Sequence, residues 1–518
     1  MKATVEREIK LTVAPDFEVP ALPGTALESR TFTSTYWDTP GRGLARVGIT
    51  LRHRVENGRG RWQLKIPHGA ARLELEVDGG TVPVPAELAG LLAAFTRREG
   101  LEPAATLATR RAGRRVDDEA GQPVAEAVVD AVTVLDGHWV VDRFAELEVE
   151  LVGEGGERDL RRIEKALREA GATDGESRPK LLRVLGIADE AEAGAPTTMG
   201  RLQGAIAGQR RTLLSRDPGT RLGTDPEDLH DMRVATRRIR SFLRTARALV
   251  DPAWAGPLRD ELAWLADALG TVRDLDVMLE HLEPQVASLD PDERDALGTA
   301  LLARLRSEHD RNRTKLLATL SSPRYFRLLD RMEEPVALRP DGEVGSGGPD
   351  SGGPDSGPGS GPGSGPGSGP GSVPGSGPGS GPGSSAPPTL PQIAAAEFRK
   401  LGKAMRRIDA ASADEEIHAV RILGKRARYA AELAQPLAGK KVVTLLARTK
   451  ALQDVLGEHQ DSSVAEECIR RLASRARGAA AVGAGRLVER ERVRRAQARA
   501  GIPAVWKAVD EAARKAFP

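Results

Sequence analysis

The sequence predicts a multidomain chain: an α+β N-terminal part built on a β-barrel, followed by an all-α part built on a duplicated helical bundle. Three observations carry this. Residues 1 to about 190 run in short alternating segments such as GITLRHRV, GRWQLKI, ARLELEV and FAELEVELV, separated by Gly, Pro, Asn and Asp, which is how strands and turns are written. From about 195 these breaks thin out, and apolar residues recur every three or four positions, as in LHDMRVATRRIRSFLRTARAL, which is how amphipathic helices are written. Between them and the chain end, a low-complexity run dominated by GSGP repeats spans about 340 to 391. Its Gly and Ser offer nothing apolar to bury and its prolines block helix and interior strand, so a disordered tether is expected there.

The expected domains are therefore 1–190, then a helical domain at 195–518 whose two repeats occupy 195–339 and 392–518, with 340–391 inserted between them. A chain of 518 residues agrees with two to four units at roughly 150 residues each. The net charge of +2 hides 76 basic against 74 acidic residues, so bulk charge points to no partner and local clusters must. The single cysteine, Cys468, excludes an intrachain disulfide framework or a multi-cysteine zinc site and fits a reducing compartment. MKATVEREIK is charged where a signal peptide needs an apolar core, and no run reaches the ~18 apolar residues of a membrane span. A cytoplasmic protein without membrane contact is expected.

The strands carry an unusual charge pattern. In VEREIK, a period of two puts Glu6, Glu8 and Lys10 on one face and Val5, Arg7 and Ile9 on the other. A charged face on an exposed edge strand would account for this segment taken alone. Yet Arg52 and Arg54 share a face, Lys65 lies opposite Trp62 in parity, Glu74 and Glu76 share a face, and so do Glu146, Glu148 and Glu150. Strands that each devote a whole face to charge, with both signs present, fit a closed barrel whose charged faces surround a wet cavity. Cations in such a cavity would neutralise a polyanion and carboxylates would hold Mg²⁺ or Mn²⁺. Phosphate chains with a divalent metal satisfy both.

VEREIK matches the ExExK signature of the CYTH domain, or triphosphate tunnel metalloenzyme, and the rest of the order follows: Arg52 and Arg54, Lys65, Glu74 and Glu76, Arg111, then Glu146 with Glu148 and Glu150, and Lys180. About 185 residues resemble that family. The resemblance implies an eight-stranded antiparallel tunnel and a catalytic set of Glu6, Glu8, Lys10, Glu146 and Glu148. Metal ligands would be Glu6, Glu8, Glu146 and Glu148, joined by Asp130 and Glu150; Lys10, Arg52, Arg54, Lys65, Arg111 and Lys180 would grip the phosphates. TRRAGRRV offers Arg110, Arg114 and Arg115 beside Arg111, and Pro179 stands before Lys180 where the family usually has Ser. No Cys or Ser nucleophile with an adjacent His emerges from the motifs, which favours direct hydrolysis.

In the helical part, LHDMRVATRRIRSFL and IHAVRILGKRARYAA align on their histidines: His230 with His418, Arg233 with Arg421, Arg237 with Lys425, Arg238 with Arg426, Arg240 with Arg428. LGTVRDLDV and LGEHQDSSV follow at the same offset of 187 or 188 residues, which marks an internal duplication. At 100° per residue, His230, Arg233, Arg237, Arg240 and Arg244 form one stripe, opposite Met232, Ala235, Ile239, Leu243 and Ala246. A solvated face usually mixes signs; here Asp231 is the only acid against six arginines between 230 and 247, and none occurs between 418 and 431. Such stripes repel themselves unless a polyanion sits on them. Few aromatics are interleaved for base stacking and no reading helix is evident, which argues against sequence-specific nucleic acid.

These stretches resemble the CHAD domain, a helical duplication often found after CYTH. That resemblance implies pseudo-two-fold bundles whose basic stripes, including Arg238 and Arg426, bind inorganic polyphosphate, with Asp274 and Asp461 orienting the cations. The combined expectation is a metal-dependent inorganic triphosphatase, a phosphoanhydride hydrolase, coupled to polyphosphate capture. A non-catalytic polyphosphate-binding adaptor and a CYTH-type adenylyl cyclase are the alternatives. No protein partner is inferable.

Overall fold

The computed structural model describes residues 1–69, 71–174, 180–186, 197–334, 336, 388–409 and 411–517. The expected tether lies outside these up to residue 387, and helix resumes at Leu390. The chain divides into two compact units, residues 1–191 with 210–232, and residues 192–209 with 233–518.

Among the described residues, the first unit is built on one antiparallel sheet of ten strands: β1 (Lys2–Glu6), β2 (Glu8–Thr12), β3 (Gly24–Asp38), β4 (Thr50–Glu56), β5 (Arg59–His68), β6 (Ala71–Asp78), β7 (Glu102–Asp117), β8 (Pro123–Asp136), β9 (Trp139–Leu151) and β10 (Thr173–Asp174). Their order is β1-β6-β5-β4-β3-β7-β8-β9-β2-β10. The count corrects the eight strands expected, for two local reasons. VEREIK is broken at Arg7, so that one N-terminal segment yields β1, paired with β6, and β2, paired with β9. β10 is a two-residue addition beside β2. Because the two halves of one segment pair with strands from opposite ends of the sheet, that segment closes it.

The alternation read from the sequence decides what faces inward. Register aligns Glu6 with Arg72, Lys65 with Glu74, and Arg52 with Gln63. It also aligns Arg111 with Asp130, Asp130 with Glu146, and Glu148 with Lys10. The opposite parity is apolar. On β2, β7, β8 and β9 it buries Leu11, Val116, Ala127, Leu147 and Val149 beneath Leu160, Ile163 and Leu167 of the helix Glu157–Glu169. On β5, Trp62 is fully buried, its Nε1 donating to Gly80 O at 2.8 Å, with the Trp37 ring 5.6 Å away and the His53 ring 5.1 Å away. At one end the charged parity itself turns apolar: Tyr36, Leu107, Val132, Val134 and Phe144 pack with Leu181 of the helix Lys180–Val184.

The second unit is helical, and the apolar side of the first basic stripe is its core: Met232 apart, which falls in the first unit, Ala235, Ile239, Leu243 and Ala246 are all fully buried. Long helices at Pro252–Ala287, Asp414–Ala438, Lys440–Leu472 and Ala479–Ala516 supply most of two apolar clusters, one around Leu282, Leu297 and Leu487, the other around Leu401, Leu445 and Leu452. Among the described residues, no helix is long and apolar enough to cross a membrane.

Trp62 combines full burial with a satisfied indole N–H, so truncation leaves both a cavity and an orphaned Gly80 carbonyl. Trp62→Ala should destabilise the first unit by about 3–5 kcal/mol, measured by urea denaturation followed through tryptophan fluorescence.

Candidate functional site

The inward face of the sheet pairs opposite charges at close range. Lys65 Nζ lies 2.5 Å from Glu6 and 3.7 Å from Glu74. Lys10 Nζ lies 3.2 Å from Glu148 and 3.5 Å from Glu8. Arg111 donates to both oxygens of Asp130 at 2.7 Å and to Glu148 at 2.7 Å. Glu146 and Glu150 stand on β9 opposite Asp130 and Glu126, and their neighbours on β2 are Thr12 and Glu8. All six carboxylates proposed as metal ligands thus share this face, with Glu6, Asp130 and Glu146 buried.

Among the four candidate arginines of TRRAGRRV, the one joined to these carboxylates is Arg111. Arg110 reaches Ser29 Oγ at 3.5 Å, Arg114 donates to the carbonyls of Leu22 and Gly24, and Arg115 meets Asp117 at 3.4 Å. Lys180 opens the helix Lys180–Val184, but its side chain lies outside the described residues.

Arg52 and Arg54 are held differently. Arg52 donates to Gln63 Oε1 at 2.8 Å and to the Tyr36 hydroxyl at 3.3 Å. Arg54 meets Glu56 at 2.6 Å and lies 3.6 Å from the centroid of the Phe32 ring. Gln63, Tyr36 and Phe32 are neighbours of these arginines that charge patterning missed. Their signal was parity: Gln63 is two residues from Lys65, and Phe32 and Tyr36 alternate with FTSTYWD on the face that meets Arg52 and Arg54.

Burial dominates the electrostatics. It pushes Glu6 up to about 6, helped by a hydrogen bond with Glu74 and opposed by Lys65. It pushes Glu150 up to about 7, with the charges of Glu6, Glu8 and Glu148 adding to it and Lys65 opposing. Burial pulls Arg54 down to about 10, and Arg52 and Arg111 push the same way. Arg111 would also be lowered by burial, but its hydrogen bond to Asp130 and the charge of Glu148 hold it above its ordinary value. Two carboxylates that resist ionisation mark a place short of positive charge, and a donor set made wholly of carboxylate oxygens suits Mg²⁺ or Mn²⁺. The residues fit a divalent cation.

A second set of ligand atoms, from His68, Asp225 and Asp228, lies within 4.8 Å of one another. There Arg216 already meets Asp228 at 3.2 Å and Asp231 at 3.0 Å, and Asp225 Oδ1 accepts from Glu227 N at 2.9 Å to cap a helix. The guanidinium supplies the positive charge that this set calls for.

In the helical unit, Arg233 meets Asp274 at 3.1 Å and Arg421 meets Asp461 at 3.7 Å, equivalent pairs in the aligned segments. Gly270 lies beneath the first guanidinium, 3.5 Å from where its Cβ would be, and Gly457 lies near the second. Lys425 is driven down to about 6, first by burial and then by Arg237, Arg421 and Arg233, with Asp461 opposing. Other stripe members are spoken for. Glu432 meets Arg238 at 3.5 Å and accepts from Arg428 at 2.8 Å, and His418 Nδ1 shares a 2.6 Å hydrogen bond with Gln460. His230, Arg240, Arg244 and Arg426 stand part-buried on the two stripe helices.

A carboxyl whose folded pKa exceeds its unfolded value favours folding when protonated, so stability falls as pH rises between the two. For Glu150 that window runs from about 4.5 to about 7. In EDTA at pH 8, Glu150→Gln should therefore raise the melting temperature by about 2–4 °C, a gain that disappears near pH 4.5 in thermal melts.

A CYTH domain model matches residues 4–183 and a CHAD domain model matches residues 204–470, more than half of the chain. An uncharacterized protein of Mycobacterium tuberculosis, Rv2226, is 29% identical over 552 aligned positions, covering 99% of this chain and 97% of that protein. Among solved structures, PptA from Streptomyces chartreusis is 20% identical, covers 60% of this chain and 100% of its own, and gives a TM-score of 0.44. The CHAD domain from the plant Ricinus communis is 23% identical, covers 60% of this chain and 92% of its own, and gives 0.42. The chain belongs to the CHAD family, with a CYTH domain preceding its CHAD domain.

Proposed function

We propose that the CYTH unit hydrolyses inorganic triphosphate or a related short phosphate chain, and that the CHAD unit, read as two repeats at 195–339 and 392–518, binds polyphosphate. The observation that carries this is the single inward face on which six carboxylates interleave with Lys10, Lys65, Arg52, Arg54 and Arg111. A phosphate chain alone would be repelled by the carboxylates, and a cation alone by the basic residues. Together they satisfy both.

Glu6, Glu8, Glu146 and Glu148, with Asp130 and Glu150 alongside, would hold Mg²⁺ or Mn²⁺, which supplies charge neutralisation along the chain and activation of water. Lys10, Lys65 and Arg111 rest on those carboxylates in the free protein. Each can exchange its carboxylate for a phosphate oxygen without a net loss of charge pairing. Arg52 and Arg54 need less exchange, since Gln63, Tyr36 and Phe32 are uncharged partners. Guanidinium forks and ammonium groups fixed around the chain orient its terminal phosphorus and stabilise charge on the transferring phosphoryl group. Lys180, by resemblance, would add a further cation.

In the CHAD unit, Arg233, Arg237, Arg421 and Lys425 are mutually repulsive, and Asp274 and Asp461 offset them at the distances given above. A polyanion relieves that repulsion. Its arrival would restore a proton to Lys425.

Glu6→Gln removes a buried ligand and the partner of Lys65. Orthophosphate release from tripolyphosphate with Mn²⁺ should fall by about 10²-fold or more; wild-type turnover in this variant would refute the tunnel mechanism. Assaying ATP in parallel separates hydrolysis from cyclic AMP formation, and no release from any substrate would leave an adaptor. For the CHAD unit, calorimetry at pH 7.5 in two buffers of different ionisation enthalpy should show uptake of about one proton per Lys425 engaged. Lys425→Met should abolish the uptake, and Arg237→Glu with Lys425→Glu should abolish long-chain polyphosphate binding.

A further inference from the structure

Phe32 is out of place by chemistry. It lies on β3 between Thr109 of β7 and Glu56 of β4, on the parity that faces the charged lining, and it is 4% exposed. The apolar cluster on that parity, at the end closed by Leu181, does not include Phe32; Val128 of β8 is a further apolar residue on this parity outside the cluster. What covers its ring is cationic: Arg54 at 3.6 Å from the centroid and Arg111 at 5.8 Å. Both lie within the range of cation–π attraction, which is strongest when water is excluded.

The other arginine of Leu51-Arg52-His53-Arg54 is held by the next aromatic residue of the same β3 face, but by a different contact. Tyr36 accepts from Arg52 through its hydroxyl at 3.3 Å, with the guanidinium 6.0 Å from the ring centroid. Among the described residues, Arg54 has no such hydroxyl contact. Glu56 holds one of its nitrogens at 2.6 Å, which fixes a point of the guanidinium and leaves its plane free to turn. The Phe32 face fixes the plane. That matters because a guanidinium recognises phosphate through a planar fork of N–H donors, so a tilted fork loses one of its two bonds. The ring also lets two like charges, Arg54 and Arg111, share one neighbour that attracts both.

We propose that Phe32 is a positioning residue, setting the guanidinium plane of Arg54 for the phosphate chain; this rests on the tunnel's reading as a triphosphate site. The residue itself touches no reacting atom in this scheme. It acts through Arg54, and an aromatic face is what the position requires.

The test pairs a spectroscopic signature with binding, using the full chain. In NMR spectra of the metal-free protein, the Arg54 Nε–H resonance, assigned by its loss in Arg54→Lys, should lie upfield through the ring current of Phe32. It should stay there in Phe32→Tyr and return to the ordinary arginine range in Phe32→Leu. Calorimetric titration with a non-hydrolysable methylene-bridged triphosphate in Mg²⁺, where turnover is silent, should show affinity about tenfold weaker in Phe32→Leu, and preserved in Phe32→Tyr. In an Arg54→Ala background, Phe32→Leu should cost less than about twofold. An ordinary Arg54 shift in the wild type, or an equal loss of affinity with and without Arg54, overturns the proposal. If the signature follows Phe32 but the wild type binds no triphosphate analogue in Mg²⁺, the positioning of Arg54 stands and the triphosphate reading fails.

Discussion

Everything in the CYTH unit turns on burying opposite charges together without letting either sign dominate. At least seven carboxylates, Glu74 among them, and at least five basic groups share the interior of one sheet, where desolvation penalises every ion. Antiparallel register makes this tolerable. It sets Lys65 across from Glu74, Arg111 across from Asp130 and Lys10 across from Glu148, so that neutralisation is built strand by strand. The cost of burial shows in protonation: Glu6 and Glu150 are driven upward and Arg54 downward, by desolvation first and like-charged neighbours second.

The helical unit meets the same constraint with a different remedy. Helix faces have no register partner to neutralise each cation, so Arg233 and Arg421 borrow Asp274 and Asp461 from other helices. The remaining charge is reduced by Lys425, the member of the group that can shed its proton near neutrality, whereas guanidinium groups cannot. A lysine in place of the arginine that the first segment carries at the matching position, Arg237, makes the two stripes chemically unequal.

Much of the site was legible because β-strands have a period of two. Glu6 with Glu8 and Lys10, Arg52 with Arg54, and Glu146 with Glu148 and Glu150 could be placed on common faces from spacing alone. The basic stripe and its apolar opposite followed from helical periodicity in the same way, down to the burial of Ala235, Ile239 and Leu243. Less was visible where chemistry lacks a charge. Gln63, Tyr36 and Phe32 carry none, and their roles follow only from which arginines lie over them. The ten-strand count was also hidden, since a break at Arg7 depends on which strands the two halves of VEREIK find as partners.

The sequence by itself determined the alternation of charge and apolarity, the order of the motifs, the repeated basic segment and the low-complexity insertion, because each is a property of local spacing. Only the tertiary structure decided which charges meet. Arg111 rather than Arg110, Arg114 or Arg115 joins the carboxylates, and Glu432 meets both Arg238 and Arg428. Pairing depends on cross-strand register and helix packing between residues far apart in the chain, and periodicity gives the face of a side chain without naming the residue across from it.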